Sequence, residues 1–139
     1  MSTPADHIQL IWDRAGTGTA QAESGCSIPV GPTGDWTPER LLTAAVESSV
    51  MTNFLRLAEV AGLEVLGYVS AGESRYETGT CEAIKIIVRP CVAVGGEEHR
   101  DLVHRLLTAA VAASPIVRAL GDATTLAAEV IVLGASDGG

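Results

Sequence analysis

Few residues in this chain have the chemistry for catalysis, and their spacing narrows the choice. The three cysteines, Cys26, Cys81 and Cys91, are odd in number and show no C-x-x-C spacing, so neither a zinc site nor a disulfide framework is implied. They read as small buried or half-buried strand residues of a reducing compartment. A serine nucleophile needs a base within hydrogen-bond reach, usually His or Lys. The histidines, His7, His99 and His104, fall on an N-terminal strand and an outer helix, and the only lysine is Lys85; the sequence sets none of them beside a serine. Gly16-Thr17-Gly18 is a weak phosphate signal, because it lies between strands rather than ahead of a helix, and it reads as a hairpin turn. No metal or cofactor is expected.

One acid stands out. Glu47 is the only charge between Arg40 and Arg56, in a segment otherwise apolar on nearly every side. A buried acid needs a partner or a raised pKa. Two readings stand open: Glu47 lies on an exposed edge, or it lines a cavity where, with Ser48, Ser49 or an arginine, it orients a ligand or acts as a general base.

The elements that must position these groups can be read from patterning. Ile8, Leu10 and Trp12 alternate with their neighbours, and Gly16-Thr17-Gly18 leads into a second strand, Thr19 to Glu23, and a third from Cys26 to Val30, which predicts an antiparallel meander. Thr37-Pro38 is a helix start, with Thr capping free amides and Pro at the first helical position. A long helix is expected to Ala61, ended by Gly62. Its all-round apolar character marks a helix surrounded by protein, which a lone domain of this size has trouble supplying.

Leu63 to Glu77 and Glu82 to Val94 then predict a long hairpin turning near Thr78-Gly79-Thr80. Ile84, Ile86, Val88, Pro90, Val92 and Val94 give its second strand an entirely apolar face. Leu102, Val103, Leu106, Ala109, Ala110 and Ala113 follow at helical spacing. Ser114-Pro115 interrupts that helix and starts a short turn from Ile116 to Leu120. One last strand, Thr125 to Leu133, closes the α+β order, and residues 1–6 and 134–139 are expected to be flexible tails of a single domain spanning 1–139.

Bulk composition bounds function by exclusion. At 139 residues and 47% apolar but only 4% aromatic, the chain can build an aliphatic core, burying roughly 70% of its unfolded surface. A formal charge of -8 and scattered cations argue against nucleic acid and against an anionic membrane surface. The longest uncharged stretch of the central apolar segment, Ser48 to Leu55, is far short of the ~20 residues a spanning helix needs. With no basic start and no apolar run at the N-terminus, a cytoplasmic location is expected.

The order of elements and two short motifs resemble the family of osmotically inducible protein C (OsmC) and the organic hydroperoxide resistance protein (Ohr). Pro38-Glu39-Arg40-Leu41-Leu42-Thr43-Ala44-Ala45 looks like the family's P-E-x-L-x-x-A-A at the head of the central helix, followed at Ser49 by the position of its first cysteine. Ser114-Pro115-Ile116-Val117-Arg118-Ala119-Leu120 looks like its C-P-[VI]-x-x-A-L. Gly62-Leu63-Glu64-Val65 and Ile87-Val88-Arg89-Pro90 also fit, so the resemblance runs from about Ile8 to Leu133. It implies an intertwined homodimer, with antiparallel strands wrapped around paired central helices and an active site at the subunit interface. In active members the first cysteine attacks a hydroperoxide, the second resolves the sulfenic acid as a disulfide, and a glutamate and an arginine assist. Glu39, ten residues before Ser49, matches the glutamate; the family's turn arginine falls on Gly16, with Arg14 as a stand-in.

Both thiol positions are serine here. A peroxidatic cysteine works because its pKa, about 8.5 when free, can be lowered until a thiolate exists at neutral pH, and because sulfur can be carried to the sulfenic state. Serine has no accessible anion, no oxidation ladder and no resolving disulfide. Family-type thiol peroxidase activity is therefore expected to be absent. Bland roles also stand open: Ser49 as a small residue letting helices approach, Ser114 as the cap of the turn at Pro115, and Glu39 as a first-turn acid favoured by the helix dipole. Two functional classes follow. One is a protein that binds a small organic or lipid-like molecule at the dimer interface, with Arg14, Ser48 and Met51 as ligand-binding positions. The other is an enzyme, either diverged to acid-base chemistry through Glu47 and Glu39 or a hydroperoxide reductase whose cysteines were substituted.

Overall fold

The computed structural model describes residues 5–32, 34–76 and 84–134. The chain divides into two compact units, Met1–Leu42 and Thr43–Gly139, the division falling inside a helix. The tails expected at 1–6 and 134–139 lie mostly outside the described residues, as do the hairpin turn at Thr78-Gly79-Thr80 and Cys81.

The first unit holds the meander: β1 (Ile8–Trp12), β2 (Gly18–Ala22) and β3 (Ser27–Val30), antiparallel in that order. The register sets Leu10 opposite Ala20, and Ala20 opposite Ile28. Because paired residues share a face and successive residues alternate, Ile8, Leu10, Trp12, Ala20, Ala22 and Ile28 make one apolar face. Gln9, Ile11, Thr19, Gln21, Ser27 and Pro29 occupy the other. The β1–β2 turn is built on Asp13, whose Oδ1 accepts from the amides of Ala15 (2.7 Å) and Thr17 (3.2 Å), with Arg14 at φ 70° and Gly16 at φ 92°. Cys26, expected to be buried or half-buried, is exposed. It sits just after the Gly25 turn, where φ is 96°, one residue before the β3 ladder begins.

Helix α1 (Pro38–Ala61) starts and stops where the capping signals put it. Thr37 Oγ1 accepts from the Arg40 amide at 3.2 Å. At the other end Gly62 takes φ 72°, and the Leu63 amide reaches back to Ala58 O at 2.9 Å, a left-handed C-terminal cap. This cap and the turn after it delay the following strand, so β4 (Gly67–Arg75) starts at Gly67 rather than Leu63, and Glu77, its expected end, lies outside the described residues.

In the second unit β4 pairs antiparallel with β5 (Lys85–Val94). Ile86, Val88, Val92 and Val94 are fully buried on one face of β5, as the alternation requires. A 3-10 turn, Glu97–His99, leads into α2 (Arg100–Ala112). Its buried stripe is Val103, Leu107 and Ala110, continued by Ser114, a run of helical spacing that leaves Ala109 and Ala113 exposed. Then come α3 (Pro115–Ala119) and a 3-10 turn, Gly121–Ala123.

The final strand differs from expectation. It is two pieces, β6 (Thr124–Leu126) and β7 (Glu129–Val132), both parallel to β5. Their register is continuous, since Thr124 opposes Ile86 and Glu129 opposes Cys91, the same offset. The interruption falls opposite Pro90. Val88 O faces this side, accepting from the Ala127 amide at 2.9 Å, so the N–H of residue 90 would face it too, and proline has none to give. Parallel pairing follows from the α2–α3 crossover between β5 and β6, the standard connection for parallel neighbours.

Among the described residues no helix is long and apolar enough to cross a membrane, and no group of three or more His, Cys, Asp or Glu could hold a metal ion.

Candidate functional site

Ser49 and Ser114 stand far apart in the chain, yet their hydroxyl oxygens lie 2.6 Å apart, a short hydrogen bond. Each is placed by an element whose reason is local. Ser114 is the N-cap of α3, where its Oγ accepts from the Val117 amide at 3.1 Å and Pro115 fills the first helical position. It is fully buried. Ser49 is half-buried on α1. Four residues further along, Asn53 Nδ2 donates to Ala110 O at 3.3 Å while its Oδ1 accepts from Arg56 Nη2 at 3.1 Å. One face of α1 is thereby tied to α2 and α3 by Ser49 and Asn53, one turn apart.

Among the described residues neither serine hydroxyl bonds to a carboxylate, imidazole or amine. The pair consists of two neutral hydroxyls sharing one hydrogen bond, with a backbone amide satisfying the buried one. Nothing here supplies the base that would activate either oxygen as a nucleophile.

Glu47 is not on this face. Two positions along an α-helix is a rotation of roughly 200°, so a residue two before Ser49 looks the other way. The structure puts the Glu47 side chain against the backbone of Gly72 in β4, with Thr43, one turn earlier, beside it. A Cβ on Gly72 would sit 2.7 Å from Glu47 Cδ and 2.6 Å from Thr43 Cγ2. Glu47 is half-buried. The same face of β4 carries Tyr68, whose ring packs at 5.7 Å centroid distance on Phe54 of α1. Burial, and then the Glu47 charge, push the Tyr68 phenol up to about 12.

The remaining site candidates are dispersed. Ser48 is exposed and Met51 half-buried on α1. Glu39 lies in the first turn of α1. Arg14 is exposed in the β1–β2 turn, its guanidinium 6.0 Å from the Trp12 ring centroid. Away from the serines, the Cys91 thiol faces Glu129 Oε2 at 3.8 Å; partial burial and the Glu129 charge raise its pKa, the reverse of what a reactive thiolate needs.

Sequence reasoning passed over Tyr68, Ser70, Gly72 and Asn53. The signal for the first three was available: they alternate, and pairing sets Tyr68 opposite Val92, Ser70 opposite Pro90 and Gly72 opposite Val88, so they share the buried apolar face of β5. The signal for Asn53 was weaker, a single amide in an apolar run.

No protein-family model matches the chain, and no curated protein sequence does either. Its fold has many solved counterparts. An OsmC-like protein of unknown function from Vibrio cholerae superposes with a TM-score of 0.76 at 17% identity, over 93% of this chain and 100% of that one. An OsmC-like protein from Mycoplasma pneumoniae gives 0.79 at 9% identity, over 94% and 99%. The organic hydroperoxide resistance protein OhrB of Bacillus subtilis gives 0.65 at 18% identity, over 91% and 98%. The chain therefore has the α+β fold of the OsmC-like and organic hydroperoxide resistance proteins, over nearly its whole length and theirs.

Proposed function

We propose that this chain is a divergent member of the OsmC/Ohr family that has lost thiol peroxidase chemistry and works as a homodimer binding a small organic or lipid-like molecule. The observation that carries the reading is the 2.6 Å contact between Ser49 Oγ and Ser114 Oγ. These two positions match the family's cysteines in the motifs, and their side chains converge as a reacting pair would, but with oxygen in place of sulfur. A serine hydroxyl cannot be poised as an anion at neutral pH or be oxidised to a sulfenic acid. The frame is kept and the electron-transferring atoms are not.

Ligand binding is supported by apolar surface that carries no catalytic group. On the meander a concavity of about 320 Å³ is lined by Ile8, Ala20, Ala22, Cys26, Ser27 and Ile28. Concave apolar surface with a few polar groups at its rim is the usual character of a small-molecule site.

The direct test is consumption of an organic hydroperoxide in the presence of a dithiol reductant. No turnover above the uncatalysed rate is expected; turnover comparable to that of a cysteine-bearing relative would overturn the reading. Native mass spectrometry of the purified protein addresses the second half, with a retained small molecule as the expected result.

A further inference from the structure

Three hydroxyls on the second unit's sheet are buried without a hydrogen-bond partner among the described residues: Tyr68 Oη, Ser70 Oγ and Thr124 Oγ1. Thr124 sits two strands away from the other two, opposite Ile86. Tyr68 and Ser70 are different, because they are neighbours on one face of β4 and Gly72 is next in that row. Against Gly72 lies the Glu47 carboxylate, close enough to Tyr68 for its charge to act on the phenol. Helix α1 runs along this row, with Phe54 over Tyr68 and Glu47 over Gly72, which leaves Ser70 between them.

Leaving a buried hydroxyl unbonded is costly, and native proteins satisfy the large majority of such groups. Two such orphans in one row of β4, a row that also meets a carboxylate at Gly72, make an unsatisfied polar patch. A carboxylate only accepts, whereas each hydroxyl both donates and accepts. No hydrogen bond joins the carboxylate to either hydroxyl, so a guest able to donate a hydrogen bond to Glu47 and to bond both hydroxyls satisfies the two orphans. We infer that Glu47, Tyr68 and Ser70 form a second polar site, between α1 and β4 on the side of the helix away from the serine pair, which holds a hydroxyl-type guest. That chemistry is a water molecule or the hydroxyl head of a small organic molecule. Glycine at position 72 is part of the site, since any side chain there would displace the carboxylate. This inference is independent of the function proposed for the serines.

The test turns on a sign. If the two hydroxyls are truly unbonded, deleting them removes a desolvation penalty, and Tyr68→Phe and Ser70→Ala leave thermal stability unchanged or raise it. If they bond a guest, each deletion lowers Tm by about 4 °C, and Glu47→Gln, which replaces one acceptor oxygen by a donor, lowers it too. A crystal structure of the intact protein resolving ordered solvent gives the second readout. Density within hydrogen-bond distance of at least two of the three groups is expected, a single peak identifying water and an extended feature an organic hydroxyl. Absent density, or a neutral or stabilising Tyr68→Phe, overturns the inference.

Discussion

The Ser49–Ser114 contact is first of all a structural one. As the cap of α3, Ser114 satisfies the Val117 amide, work that a hydroxyl does well. Ser49 completes it with a hydrogen bond. Tyr68 is the residue whose ionisation the fold alters most. Its folded pKa is raised from 10.0 to about 12, while the unfolded chain ionises at the ordinary value. Between those two pH values the unfolded state has released a proton that the folded state retains, so stability is fully present below pH 10.0 and is lost as pH rises through about 12. In a tyrosinate absorbance titration one phenol should therefore titrate near pH 12, and Tyr68→Phe should remove that step. A late step that persists in the variant would assign it elsewhere.

At the scale of elements, α1 has two working faces, and Gly72 is the sharpest probe of one. Its backbone φ is not in the left-handed region, so alanine is conformationally allowed there and the cost is purely steric. A Cβ would press into Glu47 and Thr43, and overpacking of this kind costs about 1–3 kcal/mol. Gly72→Ala should lower the urea midpoint accordingly. Combined with Glu47→Ala, which clears part of the contact, it should cost less than the sum of the single changes, by roughly 0.5 kcal/mol or more. Strict additivity would mean that α1 and β4 do not meet as described.

Much of this element structure was legible beforehand. Thr37-Pro38 and Gly62 bound α1 through capping chemistry, and the alternation from Ile86 to Val94 gave the core face of β5. What patterning could not show was anything set by a neighbour. The parallel pairing of the last strand comes from the path of the chain across α2 and α3, and its division into β6 and β7 comes from a proline on the adjacent strand. For the candidate site, the motifs singled out Ser49 and Ser114, which the structure brings together, and the charge pattern singled out Glu47. Where Glu47 points depends on helical phase: with Ser49 facing α3, a residue two positions earlier must face β4.

For the whole molecule the decisive feature is the meander's apolar face. Ile8, Leu10 and Trp12 are 64%, 69% and 67% exposed in the single chain, side by side on one face of the meander. Fully burying a large apolar side chain is worth about 1.5–3 kcal/mol, and a contiguous apolar patch of this kind marks an interaction surface. A three-stranded sheet has no use for such a face unless something covers it. A second copy is the economical cover, because a two-fold interface buries the same patch twice. Sedimentation at micromolar concentration should therefore give twice the mass of one chain. Leu10→Glu, which puts an unpaired charge on the face without touching the second unit's core, should lower the association constant at least tenfold, since desolvating one charge at an interface costs more than the 1.4 kcal/mol that a factor of ten represents. A wild-type protein that sediments as monomer alone would remove the dimer from the proposal and leave the apolar face to a different partner.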